Sequence, residues 1–130
     1  MKTTTKIILG VTAVAAVIAY QFDQGRKEER QLELVIQETG RAATCTRTDN
    51  VQGHDWVACR WSDSDQGPVW IRTGERDGRP VWTTANGRAI STLESYQLAA
   101  SPDRQAKLAQ VRPREPGEDL PGSVPWDRLD

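Results

Sequence analysis

From Ile7 to Phe22 the chain runs 16 residues without a charge, and Lys2 and Lys6 stand ahead of the run. A stretch that is apolar on every helical face is not an amphipathic surface helix. It reads as a membrane anchor or an export signal. As a helix it would reach about 24 Å, short of a hydrocarbon core of about 30 Å, which favours a signal cleaved after Ala19. Against cleavage, no turn-forming residue precedes that site. Tyr20 and Phe22 also stand where interfacial aromatics belong, and Lys6 can snorkel at the other end. The expectation is an uncleaved anchor over residues 1–22 that meets membrane lipid through residues 7–22. Lys2 and Lys6 are unopposed by acids, whereas Asp23 to Arg30 balances three acids with three bases. This asymmetry places the amino terminus in the cytoplasm and the rest outside it, in the periplasm if the cell is Gram-negative.

An oxidising compartment gives the two cysteines a meaning. Cys45 and Cys59 belong to no Cys-x-x-Cys pair, so in an exported chain they are expected as a disulfide. No metal site is expected, because His54 is the sole histidine and a tetrahedral Cys/His set would need carboxylates to complete it. No cofactor motif is present.

Beyond the anchor, residues 23–40 read as a stalk helix. Leu32, Val35 and Ile36 form a narrow apolar stripe, and Gly40 is a helix stop. Residues 41–111 then change character. Between Ala42 and Ile90, Trp, Thr and Val become frequent and Leu vanishes, which is strand composition. Four strands are expected: Thr44–Thr48, Trp56–Ser62, Val69–Glu75 and Arg79–Ala85, with a short fifth over Arg88–Ile90. Asp49–Asp55 reads as a longer loop. Asp77-Gly78 and Asn86-Gly87 are both two-residue hairpin signals. The first puts Arg76 opposite Arg79 and Thr73 opposite Trp82. Val69, Ile71, Trp82 and Thr84 then share one face, and Trp70, Arg72, Val81 and Thr83 the other.

Ser91 and Glu94 form a capping box for a helix Thr92–Ala100, with Leu93 and Tyr96 inward and Leu98 a further candidate. Ser101-Pro102 starts a second helix that runs to about Val111. Residues 112–130 hold four of the seven prolines and no periodicity, so they read as an extended, flexible tail. The expected fold class is α+β: a membrane and stalk helix, a small antiparallel meander of four or five strands, two short helices and a tail. The folded domain is about 70 residues, a size that needs extra support.

Four tryptophans, Trp56, Trp61, Trp70 and Trp82, interleave with seven arginines between Arg41 and Arg88. Flat aromatic faces stack sugars or anchor protein interfaces, and arginine forks grip carboxylates or phosphates. The candidate contact residues are Arg60, Trp61, Trp70, Arg72 and Trp82, together with Trp126 in the tail. The alternative is that two or three of the tryptophans build the core of a domain poor in Leu and Phe. Nucleic acid is not an expected partner. Lys+Arg 17 against Asp+Glu 18 leaves a net charge of −1, where a nucleic-acid binder carries a basic excess.

No catalytic residues are expected. Asp63-Ser-Asp65-Gln-Gly67 departs from a calcium loop in the place of its glycine, and Gly74 stands where the closing glutamate belongs. His54-Asp55 has no nucleophile motif to serve. The chain also lacks a Gly-Phe-Thr-Leu prepilin cleavage site and a glutamate within the apolar run, so its residues lend no support to a type IV pilin-like reading. The expected function is that of a non-enzymatic, membrane-anchored envelope protein. Its domain would bind a protein partner or support assembly of an envelope complex. The alternative is a cleaved, secreted or periplasmic module that binds glycan, or inhibits an envelope enzyme, through a Trp/Arg sheet face.

Overall fold

The computed structural model describes residues 26–108 and 110–129; the expected anchor over 1–22 lies outside the described residues. The chain opens with helix α1 (Lys27–Glu38), followed by strands β1 (Ala43–Val51), β2 (His54–Trp61), β3 (Val69–Arg76) and β4 (Arg79–Thr84). Helices α2 (Gly87–Ala99) and α3 (Pro102–Leu108), strand β5 (Val111–Arg112) and a 3-10 turn at Trp126–Arg128 complete it. Among the described residues, no helix is long and apolar enough to cross a membrane.

The strands lie side by side in chain order. Neighbours β1 to β4 pair antiparallel, as the β-rich composition and turns lead one to expect. The fifth strand is not where it was expected. Arg88–Ile90 lies in the first turn of α2, and β5 joins β4 in parallel, which makes the sheet mixed. The reason is Asn86. Instead of turning a hairpin with Gly87, it is extended (φ −144°) and caps α2, its Oδ1 accepting from the Ala89 N–H at 2.9 Å. The same oxygen accepts from the Val69 N–H at 3.1 Å, and Nδ2 donates to the Gly67 carbonyl at 3.0 Å. Asn86 thereby ties the start of α2 to the start of β3. Ser91 and Glu94 fall inside the helix, five and eight residues past its true cap. Leu93 and Tyr96 are buried as expected, but Leu98 points outward and is 89% exposed.

Two turns set the sheet. The expected loop over Asp49–Asp55 is instead a tight hairpin. Val51 pairs with His54, and Gln52 and Gly53 both take positive φ (53° and 77°), as a primed turn requires. At the other hairpin Arg76 does pair with Arg79. The ladder then slips: Arg72, not Thr73, pairs with Trp82. Thr73 and Gly74 together stand opposite Val81, and Gly74 takes φ +139°, a value open to glycine and costly for other residues. One inserted residue reverses every side chain beyond it. Trp70, Arg72 and Trp82 therefore share one face, and Val69, Ile71 and Thr83 the other.

Both faces are covered. On the first, Cys45, Val57, Cys59, Trp70 and Trp82 pack against Leu32, Val35 and Ile36 of α1 and Ala89, Leu93 and Tyr96 of α2. The apolar stripe of α1 is thus part of this core. Glu33 fastens the helix further by accepting the edge-facing Cys45 N–H at 3.0 Å. The helix expected as a stalk is built into the domain. On the second face, Trp56, Ala58, Val69 and Ile71 pack with Val51 and Leu129, flanked by Leu120, Val124 and Trp126. The tail is extended, as its prolines dictate, and it lies across this face.

Side chains hold the tail where a ladder cannot. The Arg114 guanidinium donates to the carbonyls of Pro121 (2.8 Å) and Leu120 (2.8 Å), and its backbone N–H donates to Thr84 Oγ1. Arg112 forms a two-point ion pair with Glu118, whose Oε1 also accepts from the Glu115 N–H at 3.0 Å. The hydrogen bond from Arg112 and that backbone donor pull the Glu118 carboxyl down to about 2. A carboxylate with a depressed folded pKa stabilises above its unfolded value and loses that contribution as pH falls toward the folded one. The expected outcome is a loss of thermal stability between about pH 4.5 and 2 that is smaller in Glu118→Gln. Melting curves of the two proteins across that range check this; parallel pH profiles would refute it.

Candidate functional site

The structure separates the expected contact residues. Trp70 and Trp82 are fully buried beneath α1 and α2, so the folded domain cannot offer them to a ligand. Trp82 donates its Nε1–H to Glu28 at 3.3 Å, and Arg47 lies over its ring at 5.6 Å. Trp56 is likewise buried, its Nε1–H donating to the Val51 carbonyl at 2.9 Å. Three of the four clustered tryptophans therefore serve the core. Arg72 is engaged by Glu75 at 2.6 Å, with Asp55 at 4.0 Å. Arg60 holds the tail. It donates to the carbonyls of Asp65 (3.1 Å) and Leu129 (3.4 Å) and lies over the Trp126 ring at 5.3 Å. Trp126, half-buried, belongs to this internal contact.

His54 and Asp55 do not act together. The His54 ring stands edge-on to Trp56, with centroids 6.5 Å apart. Asp55 is committed elsewhere: Oδ1 accepts from the Asn50 N–H (3.1 Å) and Oδ2 from Arg47 (3.4 Å).

Trp61 is the one clustered tryptophan left at the surface. It is half-buried at the end of β2, where the chain leaves the sheet. Arg41, in the link from α1 to β1, lays its guanidinium 3.6 Å from the Trp61 ring centroid. That stacking holds the arginine flat on the ring. Arg41 also reaches Asp63 at 3.4 Å, but both side chains are at least half-exposed, so water screens the pair.

A cavity of about 260 Å³ opens beside this stack. Thr39, Arg41, Trp61, Arg88, Ser91 and Thr92 line it, together with Gly87 and Ser95. Each part has a local cause. Thr39 caps the end of α1 and Arg41 follows two residues on. Asn86 starts α2 early enough to bring Arg88, Ser91 and Ser95 along one side of the helix, at i, i+3 and i+7. The lining residues carry two guanidiniums, several hydroxyls and one indole. Arg88 has no ion-pair partner among the described residues. Such a groove can hold a carboxylate or another oxyanion between two forks.

A second cavity, of about 430 Å³, lies at the other end of the sheet against Arg26, Glu29, Cys45, Thr46, Arg47 and Asp49. Burial pushes the Glu29 carboxyl up, against the opposing charges of Arg26 and Arg47. Its acids and bases answer one another, so it presents no net charge to a ligand.

Of the expected contact residues, Trp61 alone lines the groove. Arg41 and Arg88 were visible only as two arginines among seven, and Ser91 only as a presumed helix cap. Asn86 carried the missed signal, since capping by Asn86 starts α2 five residues before the cap expected at Ser91. Searches among known protein families, characterised proteins and solved structures find no match to this chain.

Proposed function

We propose that the chain is a non-enzymatic envelope protein, held in the membrane by residues 7–22, whose extracytoplasmic domain docks an acidic segment of a partner protein. The docking site is the groove between α1, the end of β2 and the start of α2. The observation that carries this reading is the convergence of Arg41, Arg88 and Trp61 on one cavity. Two guanidiniums without a buried acid between them favour an anionic occupant. A protein segment is favoured over a glycan because Arg41 already covers a face of the Trp61 ring, where a sugar would stack. The Cys45–Cys59 disulfide supports an oxidising compartment. The commitment of Asp55 to Arg47 and Asn50 supports a binding role over hydrolysis through His54.

The test is a photo-crosslinking residue placed at Ser95 in native membranes. The parent captures a discrete protein, and the double variant R41E/R88E captures it about 100-fold more weakly, for two charge-assisted contacts of about 1.5 kcal/mol each. The domain still melts cooperatively within a few degrees of the parent, because the Arg41–Asp63 pair and the Arg41–Trp61 stack both lie at the surface and contribute about 1 kcal/mol or less each. Equal capture by parent and variant, or no captured protein in the parent, sinks the proposal. Amino-terminal sequencing that finds Tyr20 first would replace the anchor with a cleaved signal.

A further inference from the structure

Residues 26–30 read Arg-Lys-Glu-Glu-Arg, nearly balanced in sequence. The fold sorts these charges by side. Glu29 is buried and Glu28 accepts from the Trp82 indole, whereas Arg26, Lys27 and Arg30 are exposed. The β3–β4 turn reaches the same end of the sheet. Arg79 donates to Gln31, one helical turn beyond Lys27, and pairs across the hairpin with exposed Arg76. Nearby acids are largely spoken for: Glu75 by Arg72, Asp49 and Asp55 by Arg47, and Glu33 by Arg26. Among the described residues Asp77, at the turn, is the exception. Among the described residues Lys27, Arg30 and Arg76 have no ion-pair partner.

Chain length brings this end close to the bilayer. Four Cα steps separate Phe22, the last residue of the apolar run, from Arg26, at most about 14 Å. A charge that close to a headgroup layer lies near one Debye length at ordinary ionic strength. We propose that this end of the domain is a membrane-facing surface, on which Lys27, Arg30 and Arg76 rest against anionic phospholipid headgroups. The proposal rests on the anchor reading of residues 7–22. It also orients the molecule. α1 runs from this end to the opposite end of the sheet, so the Arg41–Trp61–Arg88 groove faces away from the bilayer and is open to a partner.

The full chain tests this in vesicles with about one-third phosphatidylglycerol and a trace of lipid carrying a headgroup nitroxide. A fluorophore is placed at D77C in the β3–β4 turn, or at S64C in the β2–β3 loop at the far end. D77C is quenched strongly and S64C is not. In K27E/R30E/R76E, in high salt, or in purely zwitterionic vesicles, D77C quenching falls toward that of S64C, because three headgroup contacts carry a bias on the order of 100-fold beyond what the tether supplies. Equal quenching of the labels in the parent, or a difference left unchanged by the triple substitution, overturns the surface. Retention through a carbonate wash reads the anchor separately. A retained chain with equal quenching overturns the surface alone, whereas a chain stripped by carbonate overturns the anchor and the surface with it.

Discussion

Trp70→Ala leaves the domain without a cooperative melting transition at ordinary temperature. Trp70 is fully buried between Val57 and Thr84 on the face beneath α1 and α2. It is one of three fully buried indoles in a core with few leucines. Truncating such a side chain costs about 3–5 kcal/mol, against a total stability of about 5–15 kcal/mol for whole domains. A domain this small stands at the low end of that range. The hole would open where β2, β3, β4 and both helices meet, so no single element can move in to fill it. Trp70→Phe is expected to cost far less. The Trp70 Nε1–H has no acceptor among the described residues, and phenylalanine removes that buried donor while keeping most of the ring. Trp61→Ala, at the half-buried groove, should melt cooperatively. Near-ultraviolet circular dichroism and calorimetry read all three. A Trp70→Ala protein that melts within a few degrees of the parent would refute the packing described above.

Removing the disulfide with C45A/C59A costs about 3 kcal/mol, the chain-entropy value for a loop near 15 residues; the sequence separation here is 14. For a domain of this size that corresponds to a fall in melting temperature of about 15 °C. The two residues stand directly opposite in the β1–β2 ladder, with Cα atoms 4.0 Å apart. Neither backbone N–H enters that ladder at this point. The Cys45 N–H goes to Glu33 and the Cys59 N–H to the Pro68 carbonyl. The covalent bond therefore stands where β1 and β2 lack a pair of hydrogen bonds, beside the edge of the sheet. Both sulfurs belong to buried residues. Reductant with alkylating agent should then add two alkyl groups only once denaturant opens the fold, as mass spectrometry would show. Rapid alkylation of the native protein, or a double variant as stable as the parent, would count against this account.

The strands were legible because their signals are local. Alternation, β-branched residues and Asp77-Gly78 place β2, β3 and β4 within about two residues of their ends. The disulfide followed from two cysteines and an inferred compartment. The buried stripe of α1 followed from the spacing of Leu32, Val35 and Ile36. What escaped were features in which one residue has two possible partners. Asn86-Gly87 satisfies a primed hairpin turn and a helix start equally well. Its side chain caps α2 because Gly67 and Val69, some 19 and 17 residues earlier, are there to be bonded. Gly74 gave no sign of a bulge, yet it decides that Trp70 and Trp82 share a face. Of the two, Asn86 set the groove, since Gly87, Arg88, Ser91 and Ser95 lie on the helix it caps.

The amino-acid sequence by itself determined what nearest neighbours can decide: an uncharged run beside lysines, strand and helix segments, one pair of cysteines and an aromatic-rich composition. Only the tertiary structure decided which indoles are core and which is surface. It also decided that the tail covers a sheet face, and that Arg41 and Arg88, 47 residues apart in sequence, line one cavity. The physical reason is the period of two along a strand. A one-residue bulge carries no compositional mark, but it turns each later side chain over. What buries each face is then settled by what covers it, here α1 and α2 on one side and the tail on the other.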